Sequence, residues 1–185
     1  AEHIIPAADV SEQISMAGKE ASGTSNMKFM MNGALTLGTL DGANVEILEA
    51  VGDDNAYIFG ATEDELPGLR ESYDPVWHYE NVPGLKRVLD ALTDGTLDDN
   101  GSGWFADLRC SLLEPSCEPA DVYYVLGDFA SYRETKDAMA ADYADTRAWQ
   151  RRAWVNITRS GRFSSDRTIS DYAREVWKID PEPIA

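Results

Sequence analysis

Short apolar runs bounded by glycine recur through residues 1–60, and runs of this kind predict β-strands. The segments with this character are residues 3–7 (HIIPA), 34–42 (ALTLGTLDG) and 56–60 (AYIFG). Between the last two, apolar residues recur at helical spacing at Val45, Leu48 and Val51. Gly52 then supplies a stop signal, so a helix is predicted there. The order strand, helix, strand predicts parallel pairing and an α/β fold class.

Beyond residue 60 the pattern becomes mainly helical, because apolar residues fall on one face of successive segments. These positions are Leu85, Val88, Leu89 and Leu92; Met139 and Tyr143; Trp149, Ala153 and Ile157; and Ile169, Tyr172, Ala173, Val176 and Trp177. The SYRE sequence at residues 131–134 is a capping box, which predicts the start of the second helix. The third and fourth helices are predicted to begin near Thr146 and Asp166. We expect their aromatic residues to lie in the core.

The loosest part of the chain is residues 94–103 (DGTLDDNGSG), where Asp, Gly, Asn and Ser predominate. We expect an exposed loop there rather than a domain boundary, because no independent core follows it. Residues 1–185 are therefore predicted to form one partial domain without an internal boundary. Parallel strands occupy its first third, and mostly helices follow.

The charge of the chain is strongly acidic, with 33 Asp and Glu against 16 Lys and Arg and a net charge of −17. Such a field repels phosphodiester backbones and anionic membrane surfaces. Nucleic acid and membranes are therefore excluded as expected partners. Any phosphate that binds must be held by local backbone N–H groups and a few nearby cations.

The cysteines, Cys110 and Cys117, have neither zinc-site nor redox-pair spacing. We expect reduced structural thiols, which favours a reducing compartment, the cytoplasm. His3 and His78 likewise lack metal-ligand spacing and are expected to make local hydrogen bonds. The chain opens AEHIIPAADV, without an initiator Met and with a predicted strand already begun, so we expect a piece of a longer protein.

Candidate chemistry concentrates in residues 20–29, EASGTSNMKF. If Thr24 is the N-cap of a helix, the following backbone N–H groups are unpaired at the positive end of the helix dipole. Gly23 permits close approach, and the hydroxyls of Ser22, Thr24 and Ser25 offer further hydrogen bonds. This is the composition of an anion site.

Lys28 follows about one turn later, within reach of a phosphate at that site. The helix dipole and partial burial both lower a lysine pKa, toward the neutral amine that attacks an aldehyde. A phosphate and an aldehyde on one small molecule describe pyridoxal 5′-phosphate. A plain helix cap with a lysine that snorkels to water stays open as the structural alternative.

Two long segments resemble the α-glucan (glycogen) phosphorylase family, and the bacterial branch in particular. The first is SEQIS followed by AGKEASGTSNMKFMMNGALTLGTLDGANVEI, which is similar to the pyridoxal-phosphate segment of that family. The second is GRFSSDRTISDYAREVW, which is similar to its C-terminal signature. The resemblance implies a C-terminal fragment, part of a Rossmann-like domain of a glycosyltransferase-B type enzyme.

The resemblance also implies roles for single residues. Lys28 would be the catalytic lysine that forms the Schiff base with pyridoxal 5′-phosphate, and Thr24 and Ser25 would hold the cofactor phosphate. Glu20, with the backbone of Ser22 and Gly23, would bind hydroxyls of the glucosyl unit. Ser25 departs from the glycine of the animal members but keeps the backbone N–H.

The activity so implied is phosphorolysis of terminal α-1,4-glucosidic bonds to glucose 1-phosphate, with the cofactor phosphate in proton exchange with the substrate phosphate. The implied partners are glycogen or maltodextrin, inorganic phosphate, the missing N-terminal domain and a second subunit of a homodimer. Since the family places catalysis between two domains, the fragment alone is expected to be inactive. The alternatives are another pyridoxal-phosphate enzyme, such as an aminotransferase, and a non-catalytic acidic interaction domain.

Other polar residues have structural interpretations. We expect Asp41 to cap the following helix rather than to act as a catalytic carboxylate, although it could support the site from behind. Ser164, Ser165 and Asp166 are predicted to cap the last helix. The basic residues Arg151, Arg152, Arg159, Arg162 and Arg167 are expected to form an ion-paired solvated face, with a contact to the absent domain as the alternative.

Overall fold

A computed structural model describes residues 1–20, 22–115, 119–180 and 182, and it confirms the α/β fold class. Its three strands are β1 (Val10–Gln13), β2 (Leu35–Gly38) and β3 (Tyr57–Ile58). They form one parallel sheet in the order β1-β2-β3. The register places Val10 opposite Leu35 and Leu37 opposite Tyr57. The predicted parallel pairing is therefore confirmed.

Helices make up most of the rest of the described chain. They are α1 (Thr24–Met31), α2 (Ala43–Val51), α3 (Leu66–Ser72), α4 (Pro75–Asn81), α5 (Leu85–Asp90), α6 (Trp104–Leu113), α7 (Val125–Tyr143), α8 (Thr146–Arg159) and α9 (Ser165–Asp171). Short 3₁₀ turns lie at Ile5–Ala7, Asp53–Asn55 and Ser160–Phe163, and a π-helical turn at Tyr172–Trp177 follows α9. Across the described residues, no helix is long and apolar enough to cross a membrane.

The predicted first strand at residues 3–7 is wrong. This segment forms the 3₁₀ turn, with Pro6 in its first turn, because proline lacks the N–H that a strand ladder needs and fixes φ near the helical value. Ile4 is 68% exposed. The strand begins instead at Val10, in a segment whose Ser11 is buried.

The strand β2 is buried along its whole length, as expected for a strand covered on both faces. One buried cluster joins α1 and α2, and another joins the sheet to α7 and α8. The first comprises Met30, Ala43, Ile47, Val51 and Ala56, and the second Leu35, Leu37, Phe59, Met139 and Trp149. Val155 of α8 packs against the first cluster, so α8 connects α1 and α2 to the sheet.

The helix α2 confirms the predicted element but turns a different stripe to the core. Ala43, Ile47 and Val51 are its buried apolar residues, at steps of four. Val45, predicted on the buried face, is 40% exposed. In α5 the prediction holds for Leu85 and Leu89, which are buried, whereas Val88 is exposed.

The predicted start of α7 at the SYRE sequence is wrong, because the helix begins at Val125. The buried carboxylate of Asp121 accepts hydrogen bonds from the N–H groups of Val125 and Leu126, at 2.9 and 2.8 Å, and so caps the helix. Ser131 lies within α7, and its hydroxyl accepts a hydrogen bond from the N–H of Gly60 at 3.2 Å. The Ser131 hydroxyl, which was predicted to cap a helix, therefore makes a tertiary contact instead.

The expected burial of the helical aromatic residues is confirmed for Trp149 and wrong for Tyr172 and Trp177, of which Trp177 is 51% exposed. No residue of α9 or of the π-helical turn that follows it is buried, and Ile169, which lies before that turn, is itself 56% exposed. The rings of Tyr172 and Trp177 pack against each other instead, with centroids 5.7 Å apart.

The predicted capping of the last helix is confirmed for one residue. Ser164 is the N-cap of α9, and its hydroxyl accepts a hydrogen bond from the N–H of Arg167 at 3.3 Å.

The N-cap of α8 gives a testable stability prediction. One Asp145 carboxylate oxygen accepts hydrogen bonds from the N–H groups of Arg147 and Ala148, at 3.1 and 3.0 Å. We expect Asp145→Ala to lower the free energy of unfolding by about 1 kcal/mol, because two first-turn donors lose their partner. Urea titration measures this, with Asp137→Ala on the exposed face of α7 as the control, expected within about 0.5 kcal/mol of wild type. Equal losses in the two variants would contradict the capping role.

Candidate functional site

The candidate site lies at the carboxyl end of the parallel sheet, where ligands commonly bind in α/β folds. The segment that follows β1, residues 14–23, leads into α1, and the segment that follows β2, residues 39–42, leads into α2. Because both strands end at the same edge, these segments meet there. The residues that the sequence singles out, Glu20 to Lys28, run along this edge.

The first turn of α1 differs from the prediction in its cap. Gly23, not Thr24, is the N-cap, and it adopts the left-handed conformation with φ of 60°. The first backbone bond of the helix runs from Met27 N–H to Gly23 O, at 3.2 Å. The N–H groups of Thr24, Ser25 and Asn26 therefore precede the first intrahelical bond. They present positive charge at the N-terminus, as predicted for an anion site.

Gly23 also sets how closely the two helices approach. A Cβ built on it would lie 2.4 Å from the Cβ of Ala43, the first residue of α2, and 3.2 Å from the Ala43 nitrogen. No side chain fits this gap. The missing side chain, together with the positive φ, allows the starts of α1 and α2 to pack side by side.

The predicted cofactor residues share one face of α1. Thr24, Ser25 and Lys28 are all exposed, at the three- and four-residue spacings that place side chains next to each other on a helix. Lys28 also lines an open cavity of about 390 Å³, whose other lining residues are Ala1, Glu2, Ile5, Pro6 and Asn32. A primary amine and two hydroxyls are thus brought together beside the first-turn N–H groups.

The expected partial burial of Lys28 is wrong for the described chain, since the side chain is exposed. The flanking apolar residues explain this, because Met30 turns into the core while Lys28 turns away from it. Lys28 lies in the last turn of this short helix, where a cation is favourable.

Two buried asparagines, neither of which was predicted from the sequence, hold this face in place. Asn26 donates from Nδ2 to Asn44 Oδ1 at 2.8 Å, and Asn44 donates from Nδ2 to Thr39 O at 3.0 Å. The Ser25 hydroxyl donates to Asn26 Oδ1 at 3.1 Å. The sequence contained one indication of this: Asn26 lies four residues before Met30, a spacing that places its amide on the same buried face of α1.

The predicted sugar-binding residues are also brought together. The Glu20 carboxylate accepts hydrogen bonds from the backbone N–H groups of Ser22 and Gly23, at 3.2 and 2.9 Å. A Cβ on Gly42 would lie 2.8 Å from Glu20 Cγ, so the backbone of Gly42 packs directly against this side chain. Glu20 is therefore held at the entry to α1, between the segments that follow β1 and β2.

The expected helix cap by Asp41 is wrong. The N-cap of α2 is Gly42, without a side-chain hydrogen bond, and the Asp41 carboxylate turns toward the segment that follows β1. It accepts hydrogen bonds from Ser15 Oγ (2.8 Å), Gly18 N (2.8 Å), Lys19 N (3.3 Å) and Glu20 N (2.6 Å). Burial raises the pKa of Asp41, but the hydrogen bonds from Ser15 and these backbone N–H groups outweigh it and hold the pKa below its ordinary value.

This lowered pKa predicts a pH-dependent stability. Because the pKa of Asp41 is lower in the folded state, the ionised carboxylate stabilises the fold fully above its unfolded pKa of about 4. The contribution is lost as the pH falls through the folded pKa. We expect Asp41→Asn to lower the thermal midpoint at pH 7, and the gap to wild type to shrink below about pH 4. Melting curves from pH 7 to pH 3 measure it, and a gap independent of pH would contradict the prediction.

The arginine-rich region confirms the predicted ion-paired face at three positions. Arg152 pairs with Asp142 at 2.7 Å, Arg162 with Glu49 at 2.9 Å and Arg167 with Asp171 at 2.8 Å. Arg151 and Arg159 are exposed. The Arg152 pair includes the Tyr57 hydroxyl, which donates to Asp142 at 2.8 Å; burial and this acceptor raise the pKa of Tyr57 to about 12.

Two further side-chain predictions have different outcomes. His78 packs its ring against Tyr73 and Trp77, with centroids 5.0 and 5.2 Å away. Its buried Nδ1 makes no hydrogen bond to any described residue, so the expected local bond at that atom is not found.

The Cys110 thiol lies 3.7 Å from a carboxylate oxygen of Glu114. Cys117 lies outside the described residues, and the reduced state of the two thiols stays a prediction.

Comparison with known proteins gives one consistent result. A model of the family described as carbohydrate phosphorylase matches residues 1–179. The chain is 48% identical over 184 residues to a glycogen phosphorylase of Synechocystis, which covers 99% of this chain and 21% of the relative. It is 48% identical over 183 residues to a glycogen phosphorylase of Bacillus subtilis, covering 98% of the chain and 22% of the relative.

A mammalian relative is nearly as similar. The muscle form of glycogen phosphorylase from Bos taurus is 44% identical over 182 residues, covering 98% of this chain and 21% of the relative. The chain thus spans about a fifth of the length of the curated relatives it matches. Since the family model and these relatives both match nearly the whole chain, the chain belongs to the carbohydrate phosphorylase family.

Proposed function

We propose that this chain supplies the pyridoxal-phosphate-binding part of an α-glucan phosphorylase, a glycosyltransferase. The reaction is the phosphorolysis of terminal α-1,4-glucosidic bonds to glucose 1-phosphate. The observation that carries the proposal is the exposed face of α1, where Thr24, Ser25 and Lys28 lie beside three N–H groups that precede the first helical bond. Membership of the carbohydrate phosphorylase family supports it.

The chemistry of the donors fits a phosphorylated aldehyde. The N-terminus of α1 and the hydroxyls of Thr24 and Ser25 suit a phosphate group, which helix N-termini bind through N–H groups and the dipole. The amine of Lys28 suits a covalent bond to an aldehyde. When bound, pyridoxal 5′-phosphate supplies a phosphate that can exchange a proton with the substrate phosphate. The role proposed for Lys28 is to hold the cofactor covalently.

The sugar is proposed to bind at the entry to α1. Glu20 provides a carboxylate acceptor for hydroxyl groups, and the backbone N–H groups of Ser22 and Gly23 provide donors. In the described chain these N–H groups are bonded to the Glu20 carboxylate. A sugar hydroxyl that accepts a hydrogen bond from either N–H group therefore competes with the Glu20 carboxylate for that donor. Sugar binding to the backbone and sugar binding to Glu20 are linked in this way.

The rest of the active site is proposed to come from outside this chain. The parallel sheet of β1 to β3 is proposed as part of a Rossmann-like domain of a glycosyltransferase-B type enzyme. Glycogen or maltodextrin and inorganic phosphate are the proposed substrates, and a homodimer is the proposed assembly. Because the chain spans about a fifth of its relatives, we propose that it does not catalyse phosphorolysis alone. Glucose 1-phosphate release from glycogen by the purified chain would contradict this.

Reductive trapping tests the cofactor role without an activity assay. The protein that carries this chain is incubated with pyridoxal 5′-phosphate, reduced with borohydride and digested, and the labelled peptide is sequenced. We expect the label on Lys28. Lys19 is the internal control, because it is also an exposed lysine of the same segment. Equal labelling of both, or a label elsewhere, would overturn the proposal.

A further inference from the structure

The segment between β1 and α1 carries the proposed sugar contacts, and its described residues, 14–20 and 22–23, form no helix or strand. Its apolar side is anchored by Met16 and Ala17, which are buried in a cluster with Leu66 of α3. Its polar side faces the segment that follows β2. Glu20 stands at the junction with α1, so the position of its carboxylate depends on how this segment is held.

Asp41 holds the polar side of that segment. It is 3% exposed, and its carboxylate accepts from three consecutive backbone N–H groups, those of Gly18, Lys19 and Glu20, as well as from the Ser15 hydroxyl. Bonds to an ionised acceptor are the stronger kind. The shortest backbone contact, 2.6 Å, is to the N–H of Glu20 itself. Thr39 adds a bond from its hydroxyl to Ser15 O.

The same segment also fixes the side chain of Glu20. Gly42 directly follows Asp41 and packs against the Glu20 side chain. The backbone of Glu20 is thus set by Asp41, its Cβ and Cγ by Gly42, and its carboxylate by the N–H groups of Ser22 and Gly23. These four contacts hold Glu20 at the entry to α1.

We infer that Asp41 is a positioning residue that acts through Glu20 to set the affinity of the site for the glucosyl group. The inference rests on the proposed function, since it deepens the role given there to Glu20. Asp41 does not need to touch the substrate. An amide at this position loses the charge and turns one N–H₂ group toward backbone donors, so at least one of the four bonds is lost. The segment then shifts, and misplacement of a binding group weakens the contacts it makes.

The test is a double-mutant cycle in the full-length protein that carries this chain, with Asp41→Asn, Glu20→Gln and the two combined. The readouts are the KM for glucose 1-phosphate in the glucan-elongation direction and the fraction of Lys28 labelled by reductive trapping. We expect Asp41→Asn to raise that KM about tenfold or more and to leave the labelled fraction unchanged. In the Glu20→Gln background the same substitution should change the KM by less than about twofold, because its target is gone.

Asp121 provides a matched control. It is also 3% exposed and also binds backbone N–H groups, but it caps α7 in the helical part of the fold. Asp121→Asn should lower the thermal midpoint as Asp41→Asn does, yet leave the KM within about twofold of wild type. Equal KM changes in the two variants, or a tenfold effect of Asp41→Asn that persists without the Glu20 carboxylate, would overturn the inference.

Two further measurements keep the test decisive. If Asp41→Asn does not fold, Ser15→Ala removes one of the four donors, and the KM should rise a few-fold; an unchanged KM would count against the inference. Hydrogen exchange of residues 15–20 should be faster in Asp41→Asn and unaltered in Asp121→Asn. If the wild type bears label on Lys28 but does not elongate glucan, the proposed function fails. If it elongates glucan and Asp41→Asn matches it, only the role of Asp41 fails.

Discussion

Replacement of Lys28 by alanine is expected to abolish reductive labelling of α1 and to lower phosphorolysis by the full-length protein by at least about 10³-fold. The reason is that a covalently held group reacts at an effective concentration far above that of a free molecule in solution. Lys28→Arg should be as inactive as Lys28→Ala, although it keeps the charge in the last turn of α1, because a guanidinium does not bond to an aldehyde.

The control for Lys28 is Lys19→Ala. Lys19 has an exposed side chain, and Asp41 binds only its backbone N–H. This variant should keep full labelling and activity within about twofold of wild type. Both quantities are measured on one preparation, by mass spectrometry of the reduced peptide and by release of glucose 1-phosphate. Wild-type activity in Lys28→Arg would show that the lysine has no covalent role.

Replacement of Gly23 by alanine is expected to give the largest loss of stability among single changes at the site. The left-handed φ of 60° costs an alanine about 1–2 kcal/mol. The new methyl group would lie 2.4 Å from Ala43 Cβ, and such overpacking typically costs a further ~1–3 kcal/mol. We therefore expect the free energy of unfolding to fall by about 2–5 kcal/mol. Relief of the clash would part the starts of α1 and α2, so Lys28 labelling should fall as well.

Gly103→Ala separates the two causes. Gly103 is also a helix N-cap in the left-handed conformation, with a φ of 80°, but a Cβ there would meet nothing within 4 Å. It should show the conformational cost alone, about 1–2 kcal/mol, and leave Lys28 labelling unchanged. Chemical denaturation of the same protein provides both values. If the two variants lose equal stability, the contact between Gly23 and Ala43 has no energetic consequence.

The α/β fold and most of its elements could be predicted from the sequence, because periodicity and stop signals act locally. The buried strand β2 and the helices α2 and α8 are examples, and each has a clear apolar run or stripe ended by glycine or capped by a polar residue. The strand prediction for residues 3–7 was wrong because it followed the apolar residues of the segment, whereas Pro6 decides its conformation.

The errors elsewhere arise from tertiary contacts that a one-dimensional pattern does not contain. The start of α7 is set by Asp121, while Ser131, which matched a capping sequence, is used by Gly60. Tyr172 and Trp177 have the spacing of a buried face, yet no residue of α9 or of the π-helical turn is buried. The spacing of apolar residues does not show whether another element packs against them.

The sequence singled out the residues on the exposed face of α1, Thr24, Ser25 and Lys28. It did not predict the contacts of the residues that hold this face and its neighbouring segment in place. Asp41 was expected to cap the helix that follows it in sequence, whereas it binds the segment that precedes α1. Asn26 and Asn44 gave only the weak signal of amides on buried helix faces. Partners more than fifteen residues apart are decided by how the strands pair, which the sequence leaves open.

The position of β1 at an edge of the described sheet has a consequence for association between copies of the chain. β1 pairs with β2 on one side, and its other side pairs with no strand among the described residues. In the chain on its own, an unpaired strand edge is a template on which a second copy can add its own strand. The net charge of −17 opposes that step, since like-charged copies repel each other until salt screens the field. We therefore expect added salt to promote association of the separate chain.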